Sequence, residues 1–310
     1  MAHSDTRTFV YDVRRLILLR DLAEHTTMTA VSELHGITTS AVSQQLRQLE
    51  DEVGTALTRR EGRVLRLTHA GRILVDHTAR VVAALEEAES AVAATGESVT
   101  GVLTLATFQT ALGRLALPAA GRLGADHPGL RVRVIDAMPT DSVPAVRRQE
   151  IDLAITYTYS FEARELPPGL ASEYLLDDPL VLLAPEPLRE RARTDGLAAV
   201  AHADWIATAD GAPAIVSVTF ACRQAGFTPR IEHRCGTFDT MAQMVDAGFG
   251  VAVLPEMAVA QAHRHLIACP IRNGARQIGV TYRQASLKRP AVAAAVRALR
   301  AAAAPLSLAS

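Results

Sequence analysis

Between residues 12 and 54, three apolar-periodic runs are separated by breaks short enough to require sharp turns, which constrains this stretch to three small helices packed together. In the first run, Val13, Leu16, Ile17, Leu19 and Ala23 recur at helical spacing beside a charged face. Thr27 can cap the second, which carries Ala30, Val31 and Leu34. Gly36 ends it, because glycine accepts the left-handed backbone of a tight reversal. Thr38 can cap the third, which runs through Glu52 to a stop at Gly54, with Ala41, Val42, Leu46, Leu49 and Val53 on its inner face. Three short helices joined in this way are a helix-turn-helix.

The third helix leaves Thr39, Ser40, Ser43, Gln44 and Arg47 outward. A solvated helix face normally mixes acids and bases, whereas this one offers hydroxyls, an amide and a guanidinium, the groups that reach base edges and phosphates in a major groove. Residues 57–67 then read as two short strands around Glu61-Gly62, a hairpin bearing Arg59, Arg60, Arg63 and Arg66. With Arg72, the window 54–72 carries five arginines against one glutamate. The whole chain has a formal net charge of -1, so positive charge is local to this hairpin, placed as a wing that holds phosphates.

The ordered run Ile37-Thr38-Thr39-Ser40-Ala41-Val42-Ser43-Gln44-Gln45-Leu46-Arg47-Gln48-Leu49-Glu50, followed by Gly54, Leu57, Arg60, Gly62, Arg63, Leu67-Thr68 and Ala70-Gly71, resembles the DNA-binding domain of LysR-type transcriptional regulators. It departs from that pattern at Ser40, where proline is common, at Thr58, where phenylalanine usually packs the wing, and at His35, where leucine usually closes the second helix. From Thr68 a helix extends to about Thr95, with Leu74, Thr78, Val81, Leu85, Ala88 and Val92 forming a coiled-coil-like seam that wants a partner. The resemblance implies antiparallel pairing of two such helices, and so a homodimer or homotetramer. Gly96 to Gly101 reads as a hinge.

Beyond the hinge, strand-like runs alternate with helices: Val102–Ala106, helix 110–124, Leu130–Ile135, helix 140–149, Ile151–Ile155, and later Leu180–Ala184, Ile231–Arg234, Val251–Leu254 and Ile278–Tyr282. That is an α/β pattern. The resemblance continues through His127-Pro128-Gly129-Leu130, Ile151-Asp152-Leu153-Ala154-Ile155, Ala225-Gly226-Phe227-Thr228-Pro229, and Val245 to Pro255. It implies a mixed fold: a winged helix-turn-helix over 1–68, a linker and dimerisation helix over 69–96, and an effector-binding domain over 97–310, similar to periplasmic solute-binding proteins. Two subdomains are expected in the last, 97–160 plus 266–310 and 161–265, joined by crossing strands around a ligand cleft.

On that layout the cleft is lined by the end of the first strand and the start of the next helix, Thr107, Phe108, Gln109 and Thr110. A helix N-terminus with hydroxyls and free N–H groups favours an anion such as a carboxylate. Facing it, the resemblance places the segment from Thr208 to Pro213, after the strand of Trp205-Ile206-Ala207, and the Gly236-Thr237-Phe238 turn. Tyr157 closes one side.

Hydrophobic residues make up 49% of the chain and charged ones 21%, ample for packed cores. No 18-residue apolar run occurs, and the N-terminus lacks a basic region followed by an apolar core, so a cytoplasmic protein with no membrane partner is expected. Cys222, Cys235 and Cys269 match neither a disulfide framework nor a metal motif, and the ten histidines have no ligand spacing, so neither metal nor cofactor is expected. No nucleophile elbow, P-loop, HExxH or dinucleotide loop appears, which argues against an enzyme. The expected partners are double-stranded DNA, a small-molecule effector that is anionic or zwitterionic, and a second copy of the chain, with RNA polymerase as a further partner. Two alternatives compete: a regulator that senses oxidants through its cysteines, and one that binds DNA without any ligand.

Overall fold

The computed structural model describes residues 11–61, 64–93, 99–162, 165–209 and 214–307. It divides into two compact units, Met1–Ser90 and Ala91–Ser310.

In the first unit, helices α1 (Val13–His25), α2 (Met28–His35) and α3 (Thr39–Val53) precede an antiparallel hairpin of β1 (Thr58–Glu61) and β2 (Val64–Leu67), and then helix α4 (His69–Ala93). The hydroxyls of Thr27 and Thr38 accept from the N–H groups of Ala30 and Ala41, both at 3.2 Å, and cap α2 and α3. Gly36 and Gly54 close these helices at φ +62° and +77°, in the region glycine tolerates best. Val42, Leu46 and Leu49 of α3 pack on Leu16, Leu18, Leu19 and Leu22 of α1, with Val31 and Leu57. Helix α1 therefore buries Leu18 and Leu22 where the periodicity suggested Ile17 and Ala23, which stay half-buried. The broad face of α1 also buries Asp21, whose carboxylate accepts from Arg20 Nε at 2.9 Å and contacts His35 Nε2 at 2.7 Å.

Thr68 begins α4 as expected: its hydroxyl accepts from Gly71 N at 3.0 Å and donates to Ala56 O at 2.8 Å. Gly71 has no room for a side chain, since a Cβ there would lie 2.2 Å from Leu57 O. The seam divides along α4. Leu74 packs into the helix-turn-helix core and Thr78 is buried, whereas Val81, Leu85 and Val92 are exposed. Thr95 and Gly96, at the expected helix end and hinge, lie outside the described residues.

The second unit contains β3 (Gly101–Thr107), α5 (Gln109–Ala111), a π-helical turn (Leu112–Ala116), α6 (Leu117–Asp126), β4 (Leu130–Asp136), α7 (Pro139–Arg147), β5 (Leu153–Tyr159) and β6 (Leu170–Leu183). It continues with α8 (Leu188–Asp195), β7 (Asp204–Thr208), α9 (Ile215–Gln224), β8 (Arg230–Cys235), α10 (Phe238–Asp246), β9 (Ala252–Pro255), β10 (Ile267–Arg283) and α11 (Pro290–Ser307). Six strands form a mixed sheet in the order β4-β3-β5-β10-β6-β9, and β7 and β8 pair in parallel beside it. Leu103, Leu105, Leu153 and Ile155, fully buried, show why β3 and β5 read as apolar runs.

The strands β6 and β10 organise this unit. Residues 170–178 of β6 pair with 276–283 of β10 next to β5, while residues 180–183 pair with β9. Each long strand thus serves two groups, β4-β3-β5 at one end and β9 with β7-β8 at the other. The sequence showed only Leu180–Ala184 and Ile278–Tyr282 of them. Register shifts between Pro270 and Ala275 and between Ile278 and Gly279, together with Asp177, Asp178, Arg276 and Gln277, interrupt the apolar pattern that would have marked them as continuous.

Candidate functional site

On the first unit, α3 presents a polar outer face, and Glu50 near its end accepts from Leu57 and Thr58 at the base of the hairpin. Thr39, Ser40, Gln44 and Arg47 are exposed and Ser43 is half-buried. Ser40, in place of the common proline, meets the Thr38 hydroxyl at 2.8 Å, and Arg47 Nη2 donates to Ser43 Oγ at 3.1 Å. On the other side of the helix, Arg15 of α1 donates to Gln45 Oε1 at 2.9 Å and pairs with Glu52, which fixes the angle between α1 and α3.

In the hairpin, Arg59 and Arg66 stand directly opposite each other. Both are drawn to Glu61, Arg59 at 2.7 Å and Arg66 at 3.0 Å. The exposed Arg60 lies on the alternate face and makes no ion pair among the described residues. Arg63 and Gly62, at the expected wing tip, lie outside the described residues.

On the second unit, a cavity of about 170 Å³ opens where the end of β3, the end of β7 and the start of α10 converge. Its wall includes Phe108, Gln109, Thr110, Tyr157, Thr208, Thr237 and Phe238, together with Met138, Ala214, Gly236 and Arg276. Thr107 is not on that wall. It is fully buried as the last residue of β3, and its hydroxyl donates to Phe108 O at 3.3 Å. The alternation of side chains along a strand turns it away while the next residues turn in. Tyr157 lies within β5 rather than past its end. Of the segment from Thr208 to Pro213, residues 210–213 lie outside the described residues.

The polar groups of the cavity differ in how far they are satisfied. Thr237 caps α10, its hydroxyl accepting from Thr240 N at 3.2 Å. Thr208 Oγ1 is buried without a hydrogen-bond partner among the described residues. Phe108 stands at the N-cap of α5 with no side-chain bond, and its ring meets that of Tyr157 edge-on at 4.9 Å.

Local sequence reading missed Met138, Ala214 and Arg276 on this wall, and Arg276 is the charged one. It is 2% exposed, yet its guanidinium reaches the wall between the rings of Phe108 and Tyr157, at 5.1 and 5.0 Å. Nε donates to Asp178 Oδ2 at 3.0 Å and Nη2 to Thr110 Oγ1 at 2.9 Å. Burial raises the carboxyl of Asp178 above its ordinary value, and the guanidinium opposes that rise. Asp178 Oδ1 also accepts from Met257 N at 2.8 Å. No signal near residue 276 announces a site, because its partner Thr110 is 166 residues away.

The three cysteines stand apart from this cavity wall. Cys222 is fully buried and its thiol is pushed up to about 12 by burial; burial also raises Cys235 and Cys269. Cys235 Sγ lies 3.1 Å from Met244 Sδ. Among the described residues, no group of three or more His, Cys, Asp or Glu is placed to hold a metal ion. No helix of the described residues is long and apolar enough to cross a membrane.

A winged helix-turn-helix and an α/β unit with a cavity of mixed apolar and polar lining, carried on one chain, define a transcription regulator with a domain for small molecules. The chain belongs to the LysR family: residues 13–72 match the bacterial regulatory helix-turn-helix protein, lysR family, and residues 96–304 match the LysR substrate binding domain. It is 29% identical over 245 residues to the HTH-type transcriptional regulator CfxR of Cupriavidus necator, covering 78% of this chain and 75% of that one. To the HTH-type transcriptional activator IlvY of Salmonella typhimurium it is 26% identical over 270 residues, 84% of this chain and 86% of that one. A full-length OxyR variant from Pseudomonas aeruginosa, 18% identical, shares the fold with a TM-score of 0.62 over 96% of this chain and 97% of the other. Like these relatives, the chain is a regulator of transcription and not an enzyme.

Proposed function

We propose that this regulator's DNA occupancy or activation is set by a small anionic or zwitterionic effector held in the cavity between β3, β7 and α10. The observation that carries this reading is the polar part of the lining: among the described residues Thr208 Oγ1 is buried without a partner, and the buried guanidinium of Arg276 reaches the same wall. A buried polar group without a partner is costly, and a ligand acceptor relieves it. The N-terminus of α10 adds a favourable potential for negative charge. Phe108, Tyr157 and Phe238 suit a flat or apolar part of the same guest.

On this reading, residues 1–68 read DNA through Thr39, Ser40, Ser43, Gln44 and Arg47 in the major groove and through Arg59, Arg60 and Arg63 on phosphates. The helix over 69–96 pairs with a second copy through the exposed Val81, Leu85 and Val92. The two parts of 97–310 close on the effector, which shifts DNA binding only by its differential affinity for the closed and open forms.

The experiment has two stages. Sequencing genomic fragments retained by the purified protein identifies its operators, and a thermal-shift screen of metabolites made by the neighbouring genes identifies the effector. Ala214→Phe, which fills the cavity, should abolish the thermal shift and the DNA response while leaving ligand-free operator binding intact. A full response in that variant puts the effector elsewhere.

A further inference from the structure

Arg276 and Asp178 face each other in register across the two long strands, β10 and β6, at the point where those strands pass from one group of the sheet to the other. The pair is linked in two directions. Arg276 Nη2 holds Thr110, beyond the end of β3, and Asp178 Oδ1 holds Met257, beyond the end of β9. Asp178 takes up Nε and Nη2, and among the described residues Nη1 donates to nothing. Among the described residues, then, the Thr208 hydroxyl is a buried donor on this cavity without an acceptor and Nη1 makes no hydrogen bond, while the acidic partner of the guanidinium lies behind it, off the cavity wall.

We propose that Arg276 selects the charged group of the effector, that Asp178 sets how strongly it does so, and that the cavity takes a monocarboxylate whose apolar part is about one ring in size. The proposal rests on the reading of this cavity as the effector site and adds its ligand class and the residues that decide it. A carboxylate brings acceptor oxygens for both Nη1 and the Thr208 hydroxyl, and a planar group suits a guanidinium edge. The size follows from the volume: an apolar cavity of roughly 150 Å³ admits benzene, and this one is about 170 Å³. Phe108 and Tyr157, whose rings already flank the guanidinium, supply the apolar contact. Asp178 withholds part of the attraction, because a second carboxylate on the same guanidinium repels the first.

The test uses benzoate and its uncharged isostere benzamide with the purified full-length protein, measured by titration calorimetry. Benzoate should bind at least about tenfold more tightly than benzamide. Asp178→Asn keeps an acceptor for Met257 N and removes the competing charge, so it should tighten benzoate on the order of tenfold and leave benzamide unchanged. Arg276→Gln alone would strand a buried carboxylate and endanger folding. The decisive variant is therefore Arg276→Gln with Asp178→Asn, which removes both charges together; a cooperative thermal transition shows that it is folded. It should bind the two probes alike. Equal affinity of the parent protein for both probes, a benzoate preference that survives in the double variant, or no binding of either at tens of millimolar overturns the assignment. Ala214→Phe separates this failure from failure of the cavity reading. Benzoate binding that survives Ala214→Phe lies outside the cavity, whereas binding lost there but indifferent to the charge of Arg276 removes only the role given to Arg276 and Asp178.

Discussion

Thr58 gives Glu50 two hydrogen bonds, from its backbone N–H at 2.8 Å and from its hydroxyl at 3.0 Å, both to Oε1, and Leu57 N adds a third at 2.8 Å. The third helix of the helix-turn-helix is thereby tied to the first strand of the wing by one carboxylate. Hydrogen bonds to a charged acceptor contribute roughly 1.5–3 kcal/mol each when well buried, and less in this half-buried setting. Glu50→Ala should therefore lower unfolding free energy by about 1–3 kcal/mol and weaken operator binding, while Thr58→Val, which keeps the backbone bond, should cost about 1 kcal/mol. Urea unfolding of both variants checks the order; equal costs would mean that the two backbone bonds add nothing beyond the hydroxyl.

The wing arginines should not contribute equally to DNA affinity. Glu61 holds Arg59 and Arg66, whereas Arg60 carries no ion pair among the described residues. A phosphate contact by Arg60 releases about one counterion, so Arg60→Ala should reduce the slope of log affinity against log salt by about 0.9. Glu61→Gln frees two guanidinium groups and should strengthen binding to all sequences. Salt titrations on operator and random DNA separate the two effects. An unchanged slope for Arg60→Ala removes that residue from the interface.

Gln44 is exposed one turn into α3, where an amide can pair with an adenine edge. Loss of such a contact costs roughly 1–3 kcal/mol of discrimination. Gln44→Ala should relax base preference at one position in each half-site while leaving binding to random DNA unchanged. Selection from a randomised operator library reads this directly, and a motif identical to the parent's at every position would make Gln44 a solvated helix residue.

What the sequence made legible depended on how local each signal is. The caps at Thr27, Thr38 and Thr68 and the stops at Gly36 and Gly54 are decided within a few residues, and each was readable. The departures from the family pattern were visible but their compensation was not. Ser40 meets Thr38, Thr58 meets Glu50, and His35 meets the buried Asp21, polar contacts taking the place of a proline and two apolar side chains. In the second unit, the cavity residues flanking strand ends followed from layout. Arg276 did not, because its environment is assembled from Phe108, Thr110, Tyr157 and Asp178, all distant in the chain. Thr107 was adjacent to true wall residues, and strand alternation places it one step out of phase.

Thiol chemistry gives an independent check on the oxidant-sensing alternative. The thiolate is the reactive form, and burial holds Cys222 protonated up to about pH 12 against an ordinary value of 9.0. The native protein should react slowly with a disulfide reagent at pH 8, while the unfolded chain exposes three thiols at once. The sign of the stability effect follows from the same shift. Below about pH 9 both states keep the proton and the contribution of Cys222 is fully present; as pH rises toward 12 the unfolded chain ionises first, and that contribution is lost. Cys222→Ala should flatten the decline in that window. Rapid modification of native thiols, with altered DNA binding, would favour the oxidant reading instead.

The two threonines at the ends of β3 and β7 make opposite predictions from similar positions. Thr107 is fully buried off the cavity wall and its hydroxyl already has Phe108 O as acceptor, so Thr107→Val removes one weak internal bond and should cost about 1 kcal/mol of stability or less. Effector affinity should not change. Thr208 lies on the wall with a buried hydroxyl that has no partner among the described residues. Thr208→Val is close in shape and removes that unsatisfied group, so the ligand-free protein should be as stable as the parent or more so. The bound state loses a hydrogen bond to a charged acceptor, worth about 1.5–3 kcal/mol, so effector affinity should fall by about ten- to a hundredfold. The measurement is a thermal melt of each variant with and without effector, followed by an effector titration of operator binding. A Thr107→Val variant that loses its response while Thr208→Val keeps it would place the ligand on the other side of β3, outside this cavity.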